Sequence, residues 1–292
     1  MIHGTVDSEE FDMSGLKSRV LTAVIAIPVL LIVVLLFPQL NHLAFCLMMV
    51  IITLLGTIEM RSLLSKDHEK LLFTSYSGAL LPLAQYIQFS YFSEMELTFY
   101  TLMFLIGLTL FLEVFFGAHD NFRGTWERNA KTITTIIYPG LFASFIIRIA
   151  FIANAAWYIL FYFLLVFGSD TFAFFFGILF GKNNKGIIKV SPNKSVAGYL
   201  GGLLIPAVCG LLSAYLFPEV FTYSLGEGFV LGLLTSAIAA IGDLIESSFK
   251  RSAEVKDSGS IIPGRGGILD SIDSVIMAAP VYVAILTIVL GV

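Results

Sequence analysis

The sequence predicts an all-α, polytopic integral membrane protein built as a bundle of about nine transmembrane helices. Of its 292 residues, 57% are hydrophobic and 13% are charged, whereas roughly a quarter of the residues in a soluble domain carry charge. A helix needs about 20 predominantly apolar residues to cross a bilayer, and such runs recur along the whole chain. Any chemistry must therefore lie on or within the bundle.

Nine apolar runs are long enough to be spans, separated by polar or turn-forming breaks. The predicted spans are 20–37, 43–63, 71–89, 97–116, 132–150, 155–180, 199–216, 229–249 and 272–292. We expect residues 1–16 to form a polar tail and residues 17–292 to form a single transmembrane domain. Within that domain, 17–150 supplies five helices, and 151–292 supplies the four that carry the polar motifs.

The basic residues predict the orientation, because Lys and Arg are retained on the cytoplasmic side of a membrane. They cluster before the first span and after the second, fourth, sixth and eighth spans. The groups are Lys17 and Arg19; Arg61, Lys66 and Lys70; Arg123, Arg128 and Lys131; Lys182, Lys185, Lys189 and Lys194; and Lys250, Arg251, Lys256 and Arg265. Only Arg148 falls on the other face. We expect a cytoplasmic N-terminus, with anionic substrates drawn to the basic face.

Asp170 lies inside the sixth span and is a candidate site residue. Placing an Asp at the centre of a spanning helix costs about 2.5–3.5 kcal/mol, so the carboxylate needs a partner or a water-filled cavity. The alternative to a functional role is a structural pair with a Lys or Arg that locks two helices together. Function is the default interpretation of an acidic residue within a membrane span.

A polar stripe runs along the end of the eighth span. At 100° per residue, one arc of this helix carries Asp243, Glu246, Ser247, Lys250 and Arg251. The stripe would climb about two turns from the cytoplasmic loop into the membrane. An amphipathic helix end with its basic side chains snorkelling to the interface is the alternative, but it accounts poorly for Asp243, the deepest member.

The loop before the last span reads PGRGGILDSIDS and combines glycines with two acids. Gly264, Gly266 and Gly267 precede Asp270 and Asp273, which are three residues apart and share one helix face. Glycines let a ligand approach the backbone closely, and a helix N-terminus favours phosphate. The carboxylates could instead be simple caps. Two acids on one face beside several cations are more typical of a site for Mg²⁺ and phosphate.

The segment KVSPNKSVAG adds Ser191, Lys194 and Ser195 before the seventh span, although a solvated loop is the alternative interpretation. All of these features lie on the predicted cytoplasmic side. The sequence therefore predicts a water-accessible pocket that opens into the inner leaflet, with acids to hold a divalent metal and cations to hold phosphates.

The stretch SFKRSAEVKDSGSIIPGRGGILDSID resembles the signature of the phosphatidate cytidylyltransferases, the CDP-diacylglycerol synthases. The shared elements are Ser248, Lys250, Arg251, Lys256, Asp257, Pro263, Gly264, Gly266, Gly267, Asp270 and Asp273. The segments SDTFAFFFGILFGK and SPNKS are also similar to that family. The chain departs from the family pattern at Arg265, where His is common, at Ser271, where Arg is common, and at Ala197, where Glu is common.

The resemblance implies that the phosphate of phosphatidate attacks the α-phosphorus of CTP, giving CDP-diacylglycerol and pyrophosphate. It implies Mg²⁺ or another divalent cation as cofactor, CTP, phosphatidate and membrane lipid as partners, no nucleic acid, and a homodimer in the inner membrane whose active site faces the cytoplasm. The implied catalytic residues are Asp243, Lys250, Asp257, Asp270 and Asp273, and the implied metal ligands are Asp243 and Asp270 or Asp273, with Asp170 as a further ligand. The implied substrate-binding residues are Arg251, Lys256, Gly264, Arg265, Gly266, Gly267, Lys194 and Ser195.

Two other function classes stay open from the sequence. A transporter could also contain charges within the membrane, but it would be expected to show repeat symmetry and interrupted helices that meet near the midplane. A CDP-alcohol phosphotransferase would also use acids near the cytoplasmic face. The Asp-Gly start and the wider acidic spacing of that family are not found in this sequence.

Overall fold

The computed structural model describes residues 13–65, 73–186, 188–262, 264 and 266–291. Over these residues the chain is built from helices and contains no β-strand, which confirms the predicted all-α class. The helices are α1 (Met13–Leu36), α2 (Gln39–Leu64), α3 (Leu80–Tyr91), α4 (Leu97–Phe116), α5 (Thr125–Ile136), α6 (Phe142–Ile149), α7 (Ala155–Phe180), α8 (Val196–Leu216), α9 (Leu225–Ser252) and α10 (Leu269–Leu290).

Seven helices in the described part of the chain are long and apolar enough to cross a membrane. They are Gln39–Leu64, Leu97–His119, Thr125–Ile149, Ala155–Phe180, Val196–Leu216, Leu225–Ser252 and Leu269–Leu290, and they correspond to seven of the nine predicted spans. The first predicted span corresponds to α1, with an apolar stretch at Val24–Leu36. The third corresponds to a 3₁₀ segment, Phe73–Ala79, followed by α3. The count of nine and the cytoplasmic N-terminus stay predictions.

The fifth span consists of α5 and α6 joined by a π-helical turn, Ile137–Leu141. Pro139 lies in this turn, and proline has no N–H to donate to a regular helical hydrogen bond. The turn also carries Tyr138, whose hydroxyl lies 3.4 Å from the carbonyl oxygen of Gly242 on α9. The irregular turn therefore brings a side chain from the N-terminal half of the chain against the polar end of α9.

Helices α7 to α10 pack against one another in chain order. Where α8 and α9 cross, a Cβ atom added to Gly210 would lie 1.9 Å from the carbonyl oxygen of Gly228. One added to Gly232 would lie 2.1 Å from the carbonyl oxygen of Pro206. Small residues allow such close approach, which is how helices associate inside a bilayer.

Gly242 allows α9 and α10 to cross beside the acidic residues. A Cβ atom at Gly242 would lie 2.7 Å from the Cβ atom of Met277 and 2.8 Å from the carbonyl oxygen of Asp273. Because Asp243 directly follows Gly242, this crossing places Asp243 next to the first turns of α10. The close approach of two backbones thus positions the two helices that carry most of the predicted site.

Three buried tyrosines connect α7 with α10 and with the loop after α8. The hydroxyl groups of Tyr158, Tyr162 and Tyr282 donate to the backbone carbonyl groups of Val220, Val275 and Tyr158, respectively. A buried hydroxyl needs such a partner, since an unpaired polar group is costly in a low-dielectric interior. These bonds fix α7 against α10 and against the loop after α8.

Candidate active site

Lys250 lies between two carboxylates where α9 ends and α10 begins. It forms an ion pair with Glu246, one turn earlier on α9, and its Nζ atom lies 2.6 Å from Asp270 Oδ1 on α10. The exposed fractions of the three side chains are 16%, 0% and 6%. A buried charge without a partner is strongly destabilising, so these side chains stay paired. The pairs connect the end of α9 to the start of α10.

Asp270 also organises the loop between these helices. It accepts hydrogen bonds from the backbone N–H of Ser258 at 2.8 Å, from the Ser258 hydroxyl at 2.8 Å and from the backbone N–H of Gly267 at 2.7 Å. Both carboxylate oxygens of Asp270 are therefore engaged within the protein. Hydrogen bonds to an ionised group are stronger than those between neutral groups, so Asp270 holds both ends of the loop.

The glycines of the loop leave room for protein carboxylates. A Cβ atom at Gly266 would lie 2.5 Å from Asp270 Oδ2, and one at Gly267 would lie 2.3 Å from Glu59 Oε2. Gly266 and Gly264 also have φ angles of +98° and +73°, which residues with a side chain rarely adopt. Gly264 is exposed. The predicted contacts of these glycines with a nucleotide stay predictions.

A second ion pair joins Lys194, in the loop before α8, to Asp243 on α9. The two side chains are 33% and 32% exposed, so the pair borders accessible space. Burial disfavours the charged form of Lys194, but the negative charge of Asp243 and the hydrogen bond to it outweigh that cost. Together they raise the pKa of Lys194 above its ordinary value. Lys194 is thus a cation at neutral pH.

Two further carboxylates, Asp273 on α10 and Asp170 on α7, lie within electrostatic range of this pair. Asp273, buried on α10, lies within electrostatic range of Asp243 on α9 and of Asp170 on α7. Asp170 is exposed. Among the described residues, no three acidic, histidine or cysteine side chains converge on one point as a complete metal site. Mg²⁺ is usually held by one or two carboxylates together with substrate phosphates, so these oxygen donors fit a metal that binds with its nucleotide.

Two neighbours of these acids are not among the predicted site residues. Glu246 is completely buried. Its place on the polar stripe of α9 is the feature of the sequence that could have identified it as a site residue. Tyr138 is 4% exposed and lies close enough to Asp243 and Asp273 to interact with their charges. Nothing in the sequence marks Tyr138, because its proximity to the acids depends on the turn between α5 and α6.

Glu59, near the end of α2, reaches the same loop from the N-terminal half of the chain. Its carboxylate accepts hydrogen bonds from the backbone N–H of Ile268 at 3.0 Å and of Leu269 at 2.7 Å. The hydroxyl of Ser258 lies 3.3 Å from Glu59 Oε2. The only sequence signal was a single acid near the end of an apolar span. Glu59 is 5% exposed, so it belongs to the internal framework of the site.

The remaining predicted residues lie at the edge of the cluster. Ser195 is buried, and its Oγ atom accepts a hydrogen bond from the N–H of Gly198 at 3.1 Å, so that it caps the N-terminus of α8. Three predicted residues are exposed near the end of α9 and in the loop after it: Arg251, Lys256 and Asp257. Arg265 lies outside the described residues. The substrate-binding and catalytic roles of these residues stay predictions.

An apolar cavity of about 960 Å³ adjoins the loop and is lined by side chains from α1, α2, α7, α8 and α10. It extends from Ile268 and Ser271, at the start of α10, to Phe217 and Phe221 beyond the far end of α8. Leu164 on α7 lines it and is exposed on the side of the bundle. The cavity therefore connects the apolar surroundings of the bundle with the residues next to Asp270.

Known proteins resemble this chain over nearly its whole length. The model of the cytidylyltransferase family matches residues 17–289. A phosphatidate cytidylyltransferase from Staphylococcus saprophyticus is 32% identical over 269 residues, which cover 91% of this chain and 96% of that protein. Proteins of the same name from Bacillus subtilis and Haemophilus influenzae are 30% and 31% identical, over 92% and 91% of this chain and 96% and 97% of their own lengths. The chain belongs to the cytidylyltransferase family.

Proposed function

We propose that this protein transfers the cytidylyl group of CTP to phosphatidate, forming CDP-diacylglycerol and pyrophosphate in phospholipid biosynthesis. The observation that carries this proposal is the similarity, over more than 90% of the chain, to proteins named phosphatidate cytidylyltransferase. The geometry supports it, because a cluster of acids and lysines lies next to an apolar cavity. The charged cluster suits the nucleotide, and the apolar cavity suits the lipid.

In the proposed reaction, an oxygen of the phosphatidate phosphate attacks the α-phosphorus of CTP. One phosphorus–oxygen bond forms while the bond from the α-phosphorus to the bridging oxygen breaks, and pyrophosphate leaves with that electron pair. A phosphomonoester has a second pKa near 6, so the attacking oxygen is ionised at neutral pH and needs no strong general base. Catalysis can then rest on positioning and on neutralisation of phosphate charge.

We propose Mg²⁺, or another divalent cation, as the cofactor, held by Asp243 and Asp273 with Asp170 as a further ligand. Their approach from three helices supports this set. When bound, the cation would neutralise charge on the triphosphate. Asp270 is the alternative ligand that the resemblance implies. Its hydrogen bonds to Ser258 and Gly267 support a role in organising the loop instead.

The phosphate groups of the substrates would be bound by cations at the edge of the acidic cluster. Lys194 directly contacts one of the proposed metal ligands, since it pairs with Asp243. Arg251 and Lys256 are exposed nearby in sequence. Lys250 is held by two carboxylates, which supports a role in fixing Asp270 in addition to the predicted contact with phosphate.

The acyl chains of phosphatidate would occupy the apolar cavity. The cavity is lined by Ser271, which is one residue from Asp270, so the phosphate of the bound lipid would lie at the end of the cavity next to the charged cluster. We propose that lipid enters sideways between helices and that CTP arrives from the cytoplasm, because basic residues crowd the loops at this end of the bundle. The proposal includes an inner-membrane location, an active site facing the cytoplasm, a cytoplasmic N-terminus and a homodimer.

The test is pyrophosphate release by the purified protein in detergent with phosphatidate, CTP and Mg²⁺, leaving out each component in turn. Release that requires all three, together with a CDP-lipid product, is expected. If the protein consumes no CTP but releases CMP when it is given a CDP-alcohol and an acceptor alcohol, it is a CDP-alcohol phosphotransferase. If no nucleotide is consumed and proteoliposomes show solute flux, it is a transporter. Either of these results would overturn the proposal.

A further inference from the structure

We propose that Glu59 is a positioning residue of the active site: from α2, it holds the glycine loop and the first turn of α10, so that Asp270 stays in place in the loop and Asp273 is presented to the substrates. This inference rests on the proposed function. It assigns a role to the N-terminal half of the chain, where the sequence shows no catalytic motif. Glu59 acts through the loop and is not proposed to contact CTP, lipid or metal.

The contacts of Glu59 connect distant parts of the chain. Glu59 Oε1 lies 3.0 Å from the backbone nitrogen of Ile268, and Glu59 Oε2 lies 2.7 Å from that of Leu269. Ile268 is 209 residues further along the chain. The first N–H groups of a helix have no partner within the helix, and Ile268, at the cap position of α10, has no polar side chain to accept from them. The carboxylate of Glu59 provides that acceptor and matches the positive end of the helix dipole.

Two glycines of the loop are packed against the Glu59 carboxylate. A Cβ atom on Gly259 would lie 2.5 Å from Glu59 Oε1, and one on Gly267 would lie 2.3 Å from Glu59 Oε2. Both distances are shorter than any tolerated contact. The backbone of the loop therefore packs directly against the Glu59 carboxylate at both glycines.

One hydroxyl links Glu59 directly to Asp270. The Ser258 oxygen lies 3.3 Å from Glu59 Oε2 and 2.8 Å from Asp270 Oδ2, so this hydroxyl lies between the two carboxylates. The N–H of Asp270 in turn lies 3.3 Å from the same oxygen. A change at Glu59 thus reaches Asp270 through both the hydroxyl and the consecutive backbone groups of the α10 N-terminus.

The experiment compares Glu59→Gln with Glu227→Gln in the full-length protein. Glu227 also accepts a backbone hydrogen bond at a helix N-terminus, from Ser224 at 2.7 Å, but it is exposed and lies at the start of α9, far along that helix from Asp243. We expect Glu59→Gln to lower kcat roughly 10- to 100-fold, the size of effect caused by misplacing a catalytic group by about 1 Å. The KM for phosphatidate should change by less than about threefold, since Glu59 does not bind the lipid. Glu227→Gln should keep normal kcat.

Three further variants separate positioning from folding: Glu59→Asp, Ser258→Ala and the double variant. Glu59→Asp, which keeps the carboxylate, should recover part of the lost kcat. Ser258→Ala combined with Glu59→Gln should lose less than the product of the two single effects, because both act on one network. If Glu59→Gln does not fold, the kcat values of Glu59→Asp and Ser258→Ala test the positioning role in its place.

The outcomes distinguish this inference from the proposed function. A wild-type protein that forms no CDP-lipid would overturn the function itself. An active wild type whose folded Glu59 variants keep normal kcat would overturn only the positioning role. A lower melting temperature of the Glu59 variants with unchanged kcat in the folded fraction would also reject the positioning role, since Glu59 would then be purely structural.

Discussion

Lys194 and Asp243 form an ion pair that connects the loop before α8 to the polar stripe of α9. The pair places a cation directly on a carboxylate that we propose as a metal ligand. Because both side chains are about one-third exposed, an incoming triphosphate and its metal can reach them. The pair thus unites the phosphate-binding and metal-binding parts of the proposed site.

Replacing Asp243 by Asn should abolish turnover while the protein stays folded and inserted in the membrane. The substitution keeps the size of the side chain but removes the negative charge for the metal and for Lys194, and we expect at least a loss of about 100-fold in kcat. The measurement is CDP-lipid formation, with size-exclusion profile and melting temperature as checks on folding. Glu219→Gln, in the exposed loop after α8, is the matched control. Near-normal turnover of Asp243→Asn would reject Asp243 as a metal ligand.

The raised pKa of Lys194 predicts how the ion pair depends on pH. An unfolded lysine has a pKa of about 10.4, and pairing with Asp243 raises the pKa in the folded state. The stabilisation is therefore fully present below about pH 10.4 and is lost as the pH rises through the higher folded value. Since the pair is partly exposed, it should contribute no more than about 1 kcal/mol.

Melting temperatures of the wild type and Lys194→Met, compared across pH, test this expectation. Their difference should be constant from about pH 7 to 9 and shrink only above about pH 10.4. A difference that disappears near neutral pH would show that Lys194 is not held as a cation by Asp243.

Gly267→Ala should disrupt the loop although it adds only one methyl group. The new Cβ atom would lie 2.3 Å from both Glu59 Oε2 and Ser258 Oγ, and overpacking of this kind costs about 1–3 kcal/mol. We expect a lower melting temperature together with loss of activity. Gly107→Ala on α4 is the control, because no atom lies within 4 Å of its added Cβ. A fully active Gly267→Ala protein would contradict the arrangement of the loop around Glu59.

Gly168→Leu should narrow the apolar cavity, and it should therefore weaken the binding of phosphatidate without affecting that of CTP. Gly168 lines the cavity, and there is no atom within 4 Å of its Cβ position, so the larger side chain can project into the cavity. We expect the KM for long-chain phosphatidate to rise roughly 10-fold, since a few methylene groups change binding by about 1–3 kcal/mol. The KM for CTP should not change.

The matched control for the cavity is Gly107→Leu, which adds the same side chain to α4. A parallel assay with short-chain phosphatidate should show a smaller effect of Gly168→Leu than the assay with long chains. Equal effects on both lipids, or an equal rise in the KM for CTP, would show that the acyl chains do not occupy this cavity.

Local patterns predicted much of the fold and the chemistry of the site. Runs of apolar residues identified seven spans that the structure confirms as helices of spanning length. The polar stripe of α9 predicted that Asp243 and Lys250 share a face, and both contribute to the ion pairs of the cluster. Hydropathy and helical periodicity are properties of neighbouring residues, and for that reason they can be read along the chain.

Hydropathy and charge along the chain were enough to predict a membrane-embedded helical bundle with its acids and lysines concentrated in a few segments. Which of these residues meet depends on the packing of the helices, which joins Lys250 to Asp270, Lys194 to Asp243, and Glu59 to the start of α10. These contacts depend on where helices cross, as at Gly242, and on an irregular turn such as the one that carries Tyr138. The crossings result from packing between segments far apart in the chain, so no local pattern could predict them.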